Sequence, residues 1–320
     1  MKKSIILAAA LWAGATWAQT AAPYPVRPIK IVVSSAAGGG IDTLTRLIAQ
    51  KMTEDLGQSV VVENQAGGGT LVATRAVKAA PADGYTLLST SNSITSVPAM
   101  RLNPGFDLLK DFIPVSQMTR SPWFLVVGSS QPDRTFSELI TRAKANPKQL
   151  TFASSGIGTS PHLATESLAR RAGIQVTHIP YRGNGAAMPD VISGRVTMIL
   201  ESPSSAIGKV KSGQFRILGV TSAKRLEAFP DLPTLAEQGA RGYSAEVYAG
   251  LFAPAGTPPE IVDRLAAAVR KATSSKEIAA RFVAEGVQAG TMTGPQFREA
   301  LAAELEETGK LVEALGISKE

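Results

Sequence analysis

The residues best suited to chemistry stand in two glycine-rich stretches. One reads Ser34-Ser35-Ala36-Ala37-Gly38-Gly39-Gly40-Ile41-Asp42, the other Ser154-Ser155-Gly156-Ile157-Gly158-Thr159-Ser160-Pro161-His162. Each follows a short apolar run and leads into a helical pattern. In open α/β sheets, ligands gather at the carboxyl ends of strands, where helix N-termini present free amides. Those amides and the helix dipole favour an anion, with contributions of about 0.3–1 kcal/mol when exposed. Glycines let a carboxylate approach the backbone. The hydroxyls of Ser34, Ser35, Ser154, Ser155 and Thr159 can donate to an anion or to an ordered water. Asp42 suits the dipole of the helix it opens, but it would repel a carboxylate unless it turned aside or a water intervened. Tight turns alone would use the same glycines.

Other chemistries fit these residues less well. A phosphate-binding P-loop needs Lys and then Ser or Thr after its last glycine, and Ile41 and Asp42 occupy those places. A dinucleotide fingerprint needs a third glycine where Pro161 stands, and no Gly-x-Ser-x-Gly nucleophile elbow occurs. The two histidines, His162 and His178, have no partner at metal-ligand spacing. His162, in the first turn of a predicted helix, is a candidate to face a cleft; His178, near a strand end, reads as structural. Cysteine is absent, which removes thiol nucleophiles, thiolate ligands and disulfides. Composition leaves a Ser-His-Asp hydrolase open, yet nothing arranges those residues for it. No catalytic residue, metal or cofactor is expected.

The elements that must position these loops recur in order. A strand is predicted over residues 29–33, then a helix from Asp42 in which Leu44, Leu47, Ile48, Met52 and Leu56 recur at three- and four-residue steps, with Gly57 as the stop. A strand over 60–62, a Gly67-Gly68-Gly69 loop, a helix through Lys78, a turn at 81–84 and a strand over 85–88 follow. A second series starts near Trp123, with strands over 124–127, 150–153, 176–179, 196–200 and 215–220 and helices over 135–145 and to about Arg170. Beyond Pro230 come a strand over 247–252, a helix over 259–272 and a last amphipathic helix over about 295–315. Alternating strands and helices imply an α/β class with parallel-rich sheets covered by helices.

Length and the N-terminus bound the rest. Lys2 and Lys3, an apolar run over residues 5–15, and small residues at Thr16 and Ala18 form a secretory signal pattern, with cleavage expected after Ala18. The run is shorter than the roughly 20 residues a bilayer needs, and the rest of the chain has no stretch of that length. The remaining ~300 residues exceed one ordinary core, so two lobes are expected. Lack of disulfides fits a periplasm-like compartment. The formal charge of +7 falls to +5 without Lys2 and Lys3. Its basic residues are scattered rather than interleaved with aromatics, which argues against nucleic acid and leaves weak steering of anions.

At these residues the chain resembles the Bug-type substrate-binding proteins of tripartite tricarboxylate transporters, over essentially the whole mature length. The resemblance rests on Gly38-Gly39-Gly40-Ile41-Asp42, Val62-Glu63-Asn64-Gln65-Ala66-Gly67-Gly68-Gly69 and Pro81-Ala82-Asp83-Gly84-Tyr85-Thr86-Leu87. It continues through the run from Ser155 to Ala164, through His178-Ile179-Pro180-Tyr181-Arg182-Gly183, Asp231-Leu232-Pro233-Thr234-Leu235-Ala236-Glu237, and the run from Phe252 to Pro259. Any one motif is weak; seven in family order are specific.

The resemblance implies a two-lobed periplasmic binding protein fold, type II-like, with crossing strands. Lobe 1 would hold residues 24–124 and 249–320, and lobe 2 residues 125–248. It further implies a carboxylate held by backbone amides and ordered waters. By position, Ser35, Ala37, Gly38, Gly39 and Asp42 would form the first-lobe contact, with Ser91 beside it. Ser155, Gly156, Gly158, Thr159 and His162 would form the second, Tyr181 a wall, and Glu201 and Ser202 would read the rest of the ligand. The expected partners are a small organic carboxylate and the membrane permease subunits, and the expected state is a monomer. Alternatives from other classes are a periplasmic sensor reporting to a receptor kinase, and a hydrolase or isomerase using the same cleft. Many relatives carry Pro-Phe-Pro-Pro where this chain has Ser34-Ser35-Ala36-Ala37, which predicts a roomier or more polar pocket.

Overall fold

The computed structural model describes residues 24–317 and 319; the predicted leader and its cleavage point lie outside them. In chain order the elements are β1 (Ile29–Val33), α1 (Gly40–Leu56), β2 (Val60–Asn64), α2 (Leu71–Lys78), β3 (Thr86–Ser91), α3 (Ser93–Ala99), α4 (Leu108–Asp111) and β4 (Phe112–Pro122). Then come β5 (Phe124–Gly128), α5 (Phe136–Ala145), β6 (Thr151–Ser154), α6 (Ser160–Ala172), β7 (Thr177–Pro180), α7 (Asn184–Ile192), β8 (Met198–Glu201), α8 (Pro203–Lys211) and β9 (Phe215–Val220). The chain ends with β10 (Glu246–Pro254), α9 (Pro259–Thr273), α10 (Lys276–Glu285), β11 (Gln288–Ala289) and α11 (Gly294–Leu315).

Two sheets divide the chain, in the orders β11-β4-β10-β3-β1-β2 and β7-β6-β8-β5-β9. In the first, β1 lies parallel to β2 and β3, with Ile31 opposite Val62 and Leu87. Apart from Lys30, its residues are apolar on both faces because both are covered: Ile29 and Ile31 join the core under α1 and α9, while Val32 joins the one under α2, α3 and α11. Continuous apolar runs are what a doubly covered parallel strand requires. Full burial of each such side chain contributes about 1.5–3 kcal/mol. In the second sheet, β6 runs parallel to β7 and β8, and β5 antiparallel to β8 and β9. Its cores lie on both faces, one around Phe136, Phe152 and Leu168, the other around Phe124, Val191 and Ile199.

The lobes are joined where β4 passes through Trp123 into β5 and where residues 221–245 return into β10. β4 and β10 pair antiparallel from Glu246 opposite Pro122 to Pro254 opposite Phe112, with register shifts near Ala249 and Leu251. Thr221 ties the two passages together. It accepts from the Trp123 amide at 2.8 Å through its hydroxyl, which donates to the Ala245 carbonyl at 2.6 Å. Its own amide donates to the Trp123 carbonyl at 3.0 Å. The junction between the two sheets is therefore a hydrogen-bonded crossing of two strands rather than a loose linker.

The glycine loops sit where the sequence places them, after β1 and β6. Gly57 ends α1 in the left-handed region at φ 66°, closing the helix against the Thr53 carbonyl.

Candidate functional site

The two lobes press together, and a narrow cavity remains between them. About 50 Å³ of it is open to the centres of water-sized groups. One water needs about 10–15 Å³ by that measure, so the space suits roughly three to five waters or a small acid. Ser34 and Ser35 both line the cavity and bring polar groups to it.

Four helices begin at its wall. Gly40 and Ile41 bring the start of α1, Ser160 and Pro161 that of α6, Asn184 that of α7 and Ser202 the N-cap of α8. In none of the four does the N-cap residue's own side chain cap the helix, although Glu201 Oε1 accepts from the Ser202 amide at 2.9 Å. Helix starts and aligned dipoles from both lobes thus converge on one volume, an arrangement that favours negative charge. Serines 91, 93 and 155 add hydroxyls, and Trp123 and Val247 from the crossing strands give an apolar floor. Across the lobes, Ser93 Oγ accepts from the Ser160 amide at 3.0 Å and lies 3.1 Å from Ser160 Oγ. Among the described residues, no Lys, Arg or His lines the cavity.

Glycine is required here for lobe-to-lobe approach more than for contact with a ligand. A Cβ on Gly185 would lie 2.1 Å from the Ala37 carbonyl oxygen, and one on Gly40 would lie 2.3 Å from Ser202 Cβ. Neither residue has a left-handed backbone, so space rather than φ demands glycine.

Of the predicted site residues, Ser35, Gly39, Ser91, Ser155, Glu201 and Ser202 are brought together around the cavity. Ala37, Gly38, Asp42, Gly156, Gly158, Thr159, His162 and Tyr181 are not part of its lining. Asp42 is turned aside: its carboxylate accepts from the Gly38 amide, Arg46 Nε and Asn64 Nδ2, each at 2.9 Å. It shapes the first loop from behind. Gly156 packs on Gly69 of the other lobe and Gly158 against Met100. The buried Thr159 hydroxyl donates to the Gly156 carbonyl at 2.7 Å.

His162 and His178 form a stack, with ring centroids 3.9 Å apart, and Phe152 lies 4.8 Å from His178. His162 Nδ1 accepts from the Gly158 amide at 3.1 Å, and His178 Nε2 lies 2.6 Å from Ser154 Oγ. Burial lowers His162 to about 4 and His178 to about 3, the second also depressed by its neighbour. Both are neutral props under the second loop. The Tyr181 hydroxyl donates to Asp190 at 2.5 Å, and burial pushes it up to about 12. Tyr181 lies in an outer groove with Arg101 and Arg182.

Sequence reasoning missed Thr70, Ser93, Trp123, Asn184 and Val247. Only Asn184 carried a local signal, since Gly183-Asn184-Gly185 is another turn between strand and helix. Asn184 Nδ2 donates to the Leu200 carbonyl at 2.9 Å and to Glu201 at 3.0 Å. Glu201 is buried, and burial pushes its carboxyl upward against the hydrogen bonds it accepts.

Comparison with known proteins agrees with this architecture. The profile described as Tripartite tricarboxylate transporter family receptor matches residues 44–317. Protein BugT of Bordetella pertussis is 34% identical over 295 residues, covering 92% of this chain and 90% of its own. A UPF0065 protein of Pseudomonas sp. strain P51 is 36% identical over 307 residues, covering 96% and 91%. Periplasmic binding protein BugD superposes with a TM-score of 0.88 at 29% identity, over 93% of this chain and 100% of its own. An R. palustris protein solved with adipate gives 0.87 at 32%, over 92% and 99%. MatC from Rhodopseudomonas palustris, solved with malate, gives 0.84 at 28%, over 90% and 100%. With fold, cleft and profile in agreement, the chain belongs to the tripartite tricarboxylate transporter receptor family, the Bug-type periplasmic solute-binding proteins.

Proposed function

We propose that this protein captures a small organic carboxylate between its lobes in the periplasm and delivers it to the membrane permease of a tripartite transporter. The observation that carries this reading is the convergence of four helix N-termini on one cavity between the lobes. The carboxylate sits against the amides and hydroxyls of Ser35, Gly39, Ser91 and Ser155, partly through ordered water. Neighbouring structures hold adipate and malate, which supports the carboxylate class. Lobe 1 comprises residues 24–124 and 249–320, lobe 2 residues 125–248, and each contributes half of the site. The closed form is favoured because the ligand touches both lobes at once. Arg101 and Arg182, beside the outer groove, steer anions toward the mouth. No covalent step is required, the protein acts as a monomer, and the permease reads the closed shape.

The test is a thermal shift of the mature protein, purified free of ligand, against a panel of carboxylates. A ligand at 100 times its dissociation constant adds about 2.7 kcal/mol of stability. A shift confined to one class of acid, and lost with Ser155→Val, is expected. Absence of any shift across the panel overturns the carboxylate reading.

A further inference from the structure

Trp123 joins β4 to β5, where the chain passes from one lobe to the other, and it lines two spaces. In front of it lies the cavity described above, about 50 Å³ by the centres of water-sized groups. Behind it lies a pocket of about 300 Å³ by the same measure, between α3 and α11 on one side and α6 and residues 243–246 on the other. Ser160 is the other residue common to both linings. Its short side chain is engaged across the lobes by Ser93 Oγ at 3.1 Å, so the indole supplies most of the bulk between the two spaces. Trp123 is also held in place. Its amide donates to the Thr221 hydroxyl at 2.8 Å, and its carbonyl accepts from the Thr221 amide at 3.0 Å. The residue is 4% exposed and belongs to the core that includes Tyr243 and Val247.

We propose, building on the carboxylate reading above, that Trp123 determines specificity by limiting the length of the acid. The front cavity has room for about three to five waters, about 90–150 Å³ of liquid, which an acid of about three to six carbons displaces. A longer chain meets the indole, which cannot withdraw without giving up its packing in the core. The limit is one of shape, so monoacids and diacids obey it alike. Close-packed interiors relax only partly around a lost side chain. Without the indole the two spaces become one, and Leu163, Ala164 and Leu311 of the rear pocket offer apolar contact to an extended chain.

Titration calorimetry on the ligand-free mature protein tests this with two straight-chain series: propionate, butyrate, hexanoate and octanoate, then malonate, succinate, adipate and suberate. In the series that binds more tightly, the longest acid should be at least about tenfold weaker than the best shorter one. Trp123→Leu should narrow that gap by about tenfold, while Trp123→Phe, which keeps a ring between the two spaces, should stay close to the wild type. A chain beginning after Ala18 keeps Trp123 as its single tryptophan. Its emission therefore reports this residue alone, and it should shift on binding with the dissociation constant given by the heats. Should Trp123→Leu fail to fold, the wild-type length profile and its emission decide. Octanoate or suberate binding as tightly as the shorter acids of its series overturns the inference while leaving carboxylate capture intact. So does a profile unchanged in folded Trp123→Leu, or binding heat with no change in emission. If no acid of either series binds, the carboxylate reading fails and this inference fails with it.

Discussion

At the scale of single residues, much of the polar chemistry near the cleft is spent on holding loops in place. Asp42 ties Gly38, Arg46 and Asn64 together, and the His162–His178 stack supports the loop from Ser154 to Thr159. The stack has a consequence for acid stability. The unfolded chain protonates both imidazoles as pH falls through about 6.5, whereas the folded ones resist until about 4 and about 3. Stability from the pair is thus fully present above the unfolded value and drains as pH falls toward 3, by up to about 1.4 kcal/mol per unit for each ring. Glu304, pushed up to about 7 by burial, works in the opposite sense over the upper part of this window. His178→Phe removes one titration while keeping an aromatic ring against Phe152. Its loss of melting temperature between pH 7 and 4.5 should be shallower than the wild type's by calorimetry. Parallel profiles would show that the histidines do not carry the acid sensitivity.

At the scale of elements, the helix starts and the loops before them do double duty: they face the cavity and they abut each other across the lobes. Gly185 lies in the first turn of α7, where alanine is the better helix former by about 1 kcal/mol. Gly185→Ala should therefore leave the unliganded melting temperature unchanged or slightly raised. Its Cβ would meet the Ala37 carbonyl with the lobes together, and the proposed open form relieves that contact. Apparent affinity falls in proportion to the loss of the binding-competent form, so ligand binding should weaken by at least about tenfold. Unchanged affinity in the titration would mean that the loops separate enough in the bound form to admit a methyl group.

At the scale of the whole molecule, the proposed capture requires closure by rotation about the β4–β10 crossing stitched by Thr221. A compact chain of about 300 residues has a radius of gyration near 19 Å by the usual scaling, about the value expected of the closed form. Small-angle scattering of ligand-free protein should give a larger radius that shrinks on adding a carboxylate that shifts the melting temperature. An identical radius in both states would argue for a form closed before binding.

Much of this fold is local enough to be read from the chain. The strands Ile29–Val33 and Phe215–Val220 are apolar, β-branched-rich runs bounded by turns, and α1 and α9 carry the three- and four-residue spacing of a helix with one buried face. Strand β4 was not legible, because Pro114 and the polar Ser116, Gln117, Thr119 and Ser121 break any pattern. It is a strand because β10 pairs along its whole length. The same division holds at the site. Two glycine loops after strands announced a cleft, since helix ends and small residues are local features. Which side chains face the cavity was decided by contacts distant in sequence. Thr70, Ser93, Trp123, Asn184 and Val247 come from different elements, and only the packing of two lobes brings them to one cavity. Asp42, His162 and Tyr181 stand in or beside the same motifs and face elsewhere, because each found a hydrogen-bond partner within its own lobe. Local spacing sets where a polar group begins; the free energy of satisfying it, summed over neighbours the chain alone does not name, sets where it points.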